Sequence, residues 1–215
     1  MIVLAIDTAG AGCHAALHDS DRDIVLGAAG AEIGRGHAER LMEFVDAALD
    51  VAGMDLPSVG RIAVAVGPGS FTGIRVGVAA ARGLALALGV PAVGVSTLAA
   101  LAADRRTGAP LLIAMDAKRD EVYWQRFAAD GTEASPPAIA TVGEAREIAA
   151  GHDGVIAGSA AALLREGAPL ETDAVSIATV ARLGARLDPE THQPRPLYLR
   201  GPDAKPQAGF AIRRA

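Results

Sequence analysis

The strongest chemical signal in the sequence is a glycine-rich stretch at residues 67–77, which reads GPGSFTGIRVG. A β-branched apolar run (61–66) precedes it and an alanine- and leucine-rich run (78–88) follows it. We therefore predict a buried strand, a glycine loop and a helix that begins at Val78. Such a loop leaves backbone N–H groups free at a positive helix end, which suits a phosphate or a carboxylate. The hydroxyls of Ser70 and Thr72 can cap the helix or bind the same anion.

A second interpretation of this stretch is purely structural, because glycines also allow a helix to pack tightly against a strand. No Gly-Lys-Ser/Thr follows it, so it is not a Walker A loop. It also comes after the third or fourth strand, too late in the chain for a dinucleotide-binding fingerprint. Both interpretations, anion binding and close packing, remain open at the level of sequence.

Two aspartates end apolar strands that open the two halves of the chain. The strand 2–6 leads into Asp7 and Thr8, and the strand 111–115 leads into Asp116. Each is followed by a turn, a returning strand and a polar hairpin turn. This is an internal repeat of one supersecondary unit. We place the boundary at the polar break around 104–108, which predicts an N-terminal lobe at 1–105 and a smaller C-terminal lobe at 106–215.

The remaining candidate for acid–base chemistry is His37, at the start of an amphipathic helix with the apolar stripe Leu41, Phe44, Val45, Ala48, Leu49 and Ala52. A histidine here can act as a general base or simply cap and pack the helix end. We favour the structural role, because no nucleophile or second histidine lies near it in the sequence. Ser70, His37 and Asp7 do not assemble into a triad on sequence grounds.

Composition narrows the class of protein. The formal charge of −5 argues against broad nonspecific binding of nucleic acid by this chain alone. The single cysteine, Cys13, cannot form an internal disulfide, which fits a reducing cytosol. The first six residues carry no basic segment, so we expect no signal peptide and a cytoplasmic protein. The apolar run 76–95 contains Arg82 and Pro91, and we expect buried core rather than a membrane span.

Three segments together resemble the TsaB (YeaZ) family, which serves the bacterial synthesis of threonylcarbamoyladenosine in tRNA. The first is the glycine-rich stretch at 67–77. The second is 116–123, DAKRDEVY, which is like the family's Asp-Ala-Arg-x-x-Glu-Val-Tyr. The third is 196–200, PLYLR, which is like its C-terminal Pro-x-Tyr-Leu-Arg. The resemblance covers nearly the whole chain.

The repeat also resembles the actin, Hsp70 and sugar-kinase superfamily, which implies an α/β, two-lobed, duplicated ribonuclease H-like fold. In that superfamily the two strand-end aspartates face a cleft that holds nucleotide and Mg²⁺. The resemblance therefore makes Asp7, Thr8 and Asp116 candidates for binding phosphate or nucleotide. The phosphate hairpin expected after Asp7 is replaced by AGAG, and Gly158-Ser159 is a faint echo of an adenosine-binding turn.

The family's catalytic paralogue, TsaD, provides a test of catalysis. It is similar in its His-led helix, its Gly-Pro-Gly loop and a Val-Pro-Ala strand, which in TsaD leads into a His-x-x-x-His metal pair. Those two histidines fall on Thr97 and Leu101 here, and neither side chain makes a transition-metal site. We therefore predict no metal and no catalytic residue. We expect no cofactor in the isolated chain, and only a complex could bind ATP or ADP.

The resemblance implies a noncatalytic subunit that binds TsaD, works with the ATPase TsaE, forms a homodimer when alone and meets tRNA mainly through the complex. The helices after His37 and Gly77 would form the interface. The candidate interface or loop residues are His37, Leu41, Gly67, Pro68, Gly69, Ser70, Phe71, Thr72, Gly73, Arg75, Ala79 and Gly83.

Other functions stay open. One is an ATP- and Mg²⁺-dependent phosphotransferase using Asp7, Asp116 and the glycine loop. Another is a glycopeptidase-like metalloenzyme, for which the sequence shows no ligands. A third is direct contact of tRNA with the basic tail, at Arg195, Arg200, Lys205, Arg213 and Arg214; we expect a minor contribution from it, since the whole chain is acidic.

Overall fold

The computed structural model describes residues 1–200, which form two β-sheets with helices packed around them. The first sheet has the strand order β3-β2-β1-β4-β5. Its strands are β1 (Ile2–Asp7), β2 (Gly12–Asp19), β3 (Ile24–Glu32), β4 (Arg61–Gly67) and β5 (Ala92–Ser96). β1 pairs antiparallel with β2 and parallel with β4, so a hairpin is extended by parallel strands.

The second sheet repeats this arrangement on a smaller scale, in the order β8-β7-β6-β9. Its strands are β6 (Leu111–Lys118), β7 (Glu121–Phe127), β8 (Ala138–Thr141) and β9 (Val155–Ala157). β6 is antiparallel to β7 and parallel to β9, as β1 is to β2 and β4. The predicted α/β fold with a duplicated ribonuclease H-like unit is confirmed.

Within residues 1–200, six α-helices cover the sheets: α1 (His37–Ala52), α2 (Phe71–Leu88), α3 (Thr97–Asp104), α4 (Val142–Ala150), α5 (Ala161–Leu164) and α6 (Ile177–Arg186). α1 packs on β2 and β3, and α2 packs beside it on β4. Successive residues of a strand point to opposite faces. Because Leu4 and Ile6 pack in the core under α1 and α2, whereas Val3 and Ala5 pack with α6, these helices lie on opposite faces of the first sheet.

Helix α6 belongs to the second half of the sequence but covers the first sheet, contacting β1, β2, β4 and β5. Gly184 lies so close to Ala63 that a Cβ on it would overlap the alanine side chain. The Arg61 guanidinium donates to the carbonyls of Gly184, Ala185 and Leu187 at 2.9–3.0 Å, which satisfies the end of α6. The strands of the first sheet all precede the predicted boundary at residues 105 and 106, and those of the second sheet all follow it. Helix α6 follows the boundary in the sequence but packs on the first sheet.

The first helix follows the sequence pattern. It begins at His37 and buries the predicted stripe except for Ala52, which is half-buried. It ends before Gly53, whose φ of 63° is the left-handed conformation typical of a glycine after a helix. The polar side chains Glu39, Glu43, Asp46 and Asp50 are exposed.

The predicted start of the second helix at Val78 is wrong, because α2 begins at Phe71, inside the glycine-rich stretch. Ser70 is its N-cap, and the Ser70 hydroxyl accepts the N–H of Gly73 at 3.2 Å. Gly73 and Gly77 are therefore helical residues. A Cβ at Gly73 would overlap the backbone carbonyl of Thr8, and one at Gly77 would overlap the Thr8 hydroxyl.

Helix α2 is long and apolar enough to cross a membrane by length and composition alone, and 33% of its residues are buried. Its buried face, with Ile74, Val78, Ala81 and Ala85, packs in the core of the first lobe. The run 76–95 is divided between α2 and β5, as expected for packed elements of a sheet protein.

We predict that Gly73→Ala destabilises the chain by about 2 kcal/mol, because an added methyl in a close-packed site forces the backbone of α2 away from Thr8. Gly83→Ala is the matched control: this glycine lies in the same helix with open space around it, and alanine should stabilise the helix by up to about 1 kcal/mol. Urea unfolding of both variants checks this. Equal effects on the free energy of unfolding would contradict the packing role of Gly73.

Candidate interaction face and interlobe cleft

A cleft of about 1520 Å³ lies between the two lobes. Its lining includes the carboxyl ends of β1 and β6, the loop at 68–70, the start of α2, the segment 172–175 and residues 197–200. Asp7 and Asp116 both line it, so the fold brings the two strand-end aspartates of the repeat to one cleft.

The Asp7 carboxylate lies at the end of β1 and accepts the backbone N–H of Ala9 at 2.8 Å. Burial raises the pKa of Asp7 above its usual range, and this effect outweighs the hydrogen bond and the charges of His14 and His37, which act in the other direction. The neighbouring Thr8 is fully buried, and its hydroxyl donates to the carbonyl of Gly73 at 2.7 Å. Thr8 therefore holds α2 in place and does not face a ligand.

Two histidines and a glutamate surround Asp7, a grouping that the sequence analysis missed. His37 is buried, with its Nε2 3.1 Å from the carbonyl oxygen of Gly12. His14 pairs across the strands with Asp7, and its Nε2 lies 3.5 Å from Glu32 Oε1. Two glycines, Gly12 and Gly30, could have indicated this grouping in the sequence, because their lack of side chains makes room for the His14 ring.

Within residues 1–200, no group of three or more histidine, cysteine, aspartate or glutamate side chains is arranged to hold a metal ion. Thr97 and Leu101, which stand at the positions of the paralogue's metal histidines, are both buried. Cys13 is buried too, and burial raises the pKa of its thiol to about 11. A thiol with this pKa is inert as a nucleophile at neutral pH.

Asp116 on the opposite lobe is paired within its own turn. Its carboxylate accepts the ammonium of Lys118 at 2.6 Å and the backbone N–H of the same residue at 2.8 Å. The hydrogen bond from Lys118 holds the pKa of Asp116 below its usual range. The carboxylate is therefore ionised and already has a cationic partner.

The glycine loop uses its polar groups internally. The N–H of Ser70 donates to the carbonyl of Ala9 at 2.6 Å, and a Cβ on Gly69 would overlap that same carbonyl. The Gly67–Pro68 peptide is cis, and both residues are buried. These contacts favour close packing over anion binding as the reason for the glycines.

The turn at Gly158 and Ser159 is occupied by carboxylates of the chain itself. The N–H of Gly158 donates to Glu171 Oε2 at 2.8 Å, and the N–H and hydroxyl of Ser159 donate to Asp173 at 2.8 and 2.5 Å. Arg105 completes the arrangement through its Nε, 2.7 Å from Glu171. Donors that a phosphate or a ribose would need are thus already bonded.

The segment 192–200, here called the strap, crosses from the first lobe to the second. The carbonyl of His192 accepts the N–H of Gly94 at 2.7 Å, and the N–H of Leu197 donates to Val66 at 2.8 Å. At its end Arg200 bonds the carbonyl of Ala117 and the carboxylate of Glu121. Of the predicted basic tail, Lys205, Arg213 and Arg214 lie outside the described residues.

The predicted interface residues divide into two groups. Five are buried and do not reach the surface: His37, Leu41, Gly67, Pro68 and Gly73. The exposed ones include a single stripe along α2, spaced three or four residues apart, made of Phe71, Arg75, Ala79 and Gly83 and continued by Leu86. We call this set the α2 stripe. Gly69, Ser70 and Thr72 are also exposed, beside its start.

Leu86 in the α2 stripe is 86% exposed and Phe71 is 56% exposed. On the neighbouring α1, Met42 and Val51 are also exposed. The two helices therefore present apolar side chains, interleaved with small residues, on the surface of the first lobe. Such a patch is typical of a protein–protein interface.

Comparisons with known proteins agree with one another. A family model described as TsaD, tRNA N6-adenosine threonylcarbamoyltransferase, matches residues 27–179. An uncharacterized protein of Mycobacterium tuberculosis is 38% identical over 216 residues, covering 96% of this chain and 95% of that protein. The tRNA threonylcarbamoyladenosine biosynthesis protein TsaB of Escherichia coli is 41% identical over 133 residues, covering 60% of this chain and 56% of that protein. The structure of YeaZ from Pseudomonas aeruginosa superposes with a TM-score of 0.73 at 33% identity, over 92% of this chain and 99% of that one.

The raised pKa of Asp7 leads to a prediction about stability and pH. Because the pKa is higher in the folded chain than the ordinary value of 3.8, the carboxyl stabilises the fold at acidic pH, and this contribution is lost as the pH rises through the folded pKa. Asp7→Asn keeps the oxygen that accepts from Ala9 but carries no charge. At pH 7 the variant should melt at a higher temperature than the parent, because it buries no charge.

The difference in melting temperature should shrink as the pH falls and vanish well below 3.8, where the Asp7 carboxyl is neutral in both the folded and the unfolded chain. Calorimetry at several pH values measures it, with Asp188→Asn on the surface as the control. A variant that is less stable at pH 7, or an advantage that grows on acidification, would contradict the buried-charge account.

Proposed function

The chain belongs to the TsaB (YeaZ) family, and we propose that it acts in tRNA threonylcarbamoyladenosine biosynthesis as a noncatalytic subunit that binds and supports TsaD. In this proposal TsaD, together with TsaE, transfers the threonylcarbamoyl group from threonylcarbamoyl-AMP to tRNA adenosine. Our chain forms a homodimer when TsaD is absent. It works in the cytoplasm and meets tRNA mainly through the complex.

The observation that carries the proposal is the exposed face of α1 and α2. Among residues 1–200, α2 packs mainly on β1, β4, β5 and α1. Tyr198 of the strap contacts the start of the α2 stripe at Phe71 and Arg75, and the rest of the stripe is exposed. Ala79 and Gly83 lie one turn apart on that stripe and allow another helix to approach closely, while Leu86 supplies apolar area. Covering this apolar area with a partner helix removes it from water and lowers the free energy of the system.

The noncatalytic part of the proposal is supported by how the cleft uses its polar groups. Asp116 is paired with Lys118, and the turn at Gly158 is bonded to Glu171. An ATP- and Mg²⁺-dependent phosphotransferase would need both of these positions for its nucleotide and metal. We therefore propose that any ATP or ADP binds at the level of the complex. We disfavour a metallopeptidase because residues 1–200 contain no cluster of three or more side chains that could ligate a metal ion.

We predict that Leu86→Arg abolishes the complex with TsaD, or weakens it at least tenfold, because the charged side chain must be desolvated at the interface. Leu170→Arg is the matched control, since Leu170 is 91% exposed and lies in the connection between α5 and α6. Size-exclusion chromatography with light scattering, on each chain alone and mixed with its cognate TsaD, makes the measurement.

The parent chain and Leu170→Arg should elute as a homodimer alone and as a heterodimer after mixing. If the unsubstituted chain stays monomeric and does not bind TsaD, the main support for the subunit proposal is lost. A Leu86→Arg chain that still binds TsaD with full affinity would place the interface elsewhere.

Nucleotide binding separates the subunit from an independent enzyme. We expect isothermal titration of the isolated chain with ATP and Mg²⁺ to give millimolar affinity or none, because Asp116 and the Gly158–Ser159 turn are already occupied. Micromolar affinity would favour a phosphotransferase that uses Asp7 and Asp116.

A further inference from the structure

Arg75 is held in a fixed orientation by two aromatic rings. Its Cζ lies 3.6 Å from the centre of the Phe71 ring, one helical turn earlier, and 5.6 Å from the centre of the Tyr198 ring. Its Nε donates to the Tyr198 hydroxyl at 2.7 Å. A guanidinium that stacks on the Phe71 ring and donates to the Tyr198 hydroxyl loses little further freedom when it binds a partner.

The charge of Arg75 is not balanced within residues 1–200. No carboxylate in this part of the chain pairs with it, whereas Arg40, Arg105 and Arg182 each have one. A guanidinium carries five N–H donors, and Nε accounts for one of them. The two terminal NH₂ groups of Arg75 have no hydrogen-bond partner in the described residues, which leaves the geometry that binds a carboxylate through two parallel bonds.

Carboxylates are exposed on the neighbouring helix of the same face. Glu39, Glu43, Asp46 and Asp50 follow one another at spacings of four, three and four residues, so they form a stripe along α1. Arg40 pairs with Glu43 at 2.6 Å. The other three, Glu39, Asp46 and Asp50, are exposed and have no ion-pair partner among residues 1–200.

We propose that, in the homodimer, Arg75 of each copy binds a carboxylate of the α1 stripe of the other copy. The proposal rests on the proposed function, because it uses the face assigned there to partner binding. Charge complementarity selects a second copy as the occupant: α2 offers an unpaired, pre-oriented cation, and α1 offers unpaired anions. A two-fold interface makes each such contact twice.

A double-mutant cycle tests this pairing. The dimer dissociation constant is measured by analytical ultracentrifugation for the parent, Arg75→Ala, the triple variant Glu39→Gln/Asp46→Asn/Asp50→Asn, and the two combined. We expect Arg75→Ala and the triple variant each to weaken the dimer at least tenfold. We expect the combination to cost little more than either alone, because both remove the same contact.

The sign of the triple variant is informative. Neutralising three carboxylates brings the formal charge of −5 closer to zero, which by itself reduces repulsion between copies and strengthens a dimer. A weaker dimer therefore requires a specific contact. The matched control, Glu147→Gln/Asp153→Asn/Glu166→Gln, makes the same charge change at exposed positions of the second lobe and should not weaken the dimer.

Two further variants test the role of the rings. Tyr198→Phe keeps the ring but removes the oxygen that accepts from Arg75, and it should weaken the dimer about three- to fivefold. Arg82→Ala removes an exposed arginine of the same helix that no ring holds, and it should have less than a threefold effect. Circular dichroism and the melting temperature confirm that each variant is folded; if Arg75→Ala does not fold, Tyr198→Phe and Arg75→Lys carry the cycle.

Several results would overturn the proposal. These are a monomeric parent, fully additive effects in the cycle, equal losses for Arg82→Ala and Arg75→Ala, or a dimer that weakens only in the second-lobe control. Binding of TsaD is measured separately on the same proteins. If the parent binds TsaD but Arg75→Ala leaves the dimer dissociation constant unchanged, only this inference is wrong. If the parent does not bind TsaD, the proposed function is wrong.

Discussion

The close approach of α2 to the turn after β1 is the constraint on which the rest of the structure depends. Gly69, Gly73 and Gly77 each lie where a side chain would overlap Thr8 or Ala9. Because these glycines have none, the N-terminal end of α2 lies directly on the end of the central strand, and the Thr8 hydroxyl bonds the helix carbonyl at Gly73. This seating fixes the rotation of α2, and with it which residues face the core and which form the α2 stripe.

The same seating explains why a glycine-rich stretch that resembles an anion site is used for packing. An anion-binding loop and a close helix–strand contact both need residues without Cβ, so residue types alone do not distinguish them. The difference lies in where the backbone N–H groups go. Here the N–H of Ser70 donates to the carbonyl of Ala9 and the N–H of Gly73 donates to the Ser70 hydroxyl, so two of the loop's donors are bonded within the chain.

Local patterns in the sequence predicted the local structure well. The features that the sequence did not predict depend on contacts between residues far apart in the chain. The stripe of α1 and its end at Gly53 follow from helical spacing and a left-handed glycine. α4 carries a readable signal that was passed over, the capping box of Thr141 and Glu144. No such signal predicts that α6 packs on the first sheet. Its helical periodicity indicates which face is buried, but not which of the two sheets it covers. The contact of Arg75 with Tyr198 joins residues 123 positions apart.

The strap links the interaction face to the second lobe. Tyr198, which orients Arg75, lies between Leu197, bonded to Val66 of the first sheet, and Arg200, bonded to Glu121 of the second. The position of the ring therefore depends on the spacing of the two lobes. Contacts of the chain itself join the two halves: Arg105 pairs with Glu171, and Arg61 donates to the carbonyls at the end of α6. The second lobe is therefore linked through the strap to Tyr198 and Arg75, and in the proposed complex it would help to hold both side chains in one arrangement.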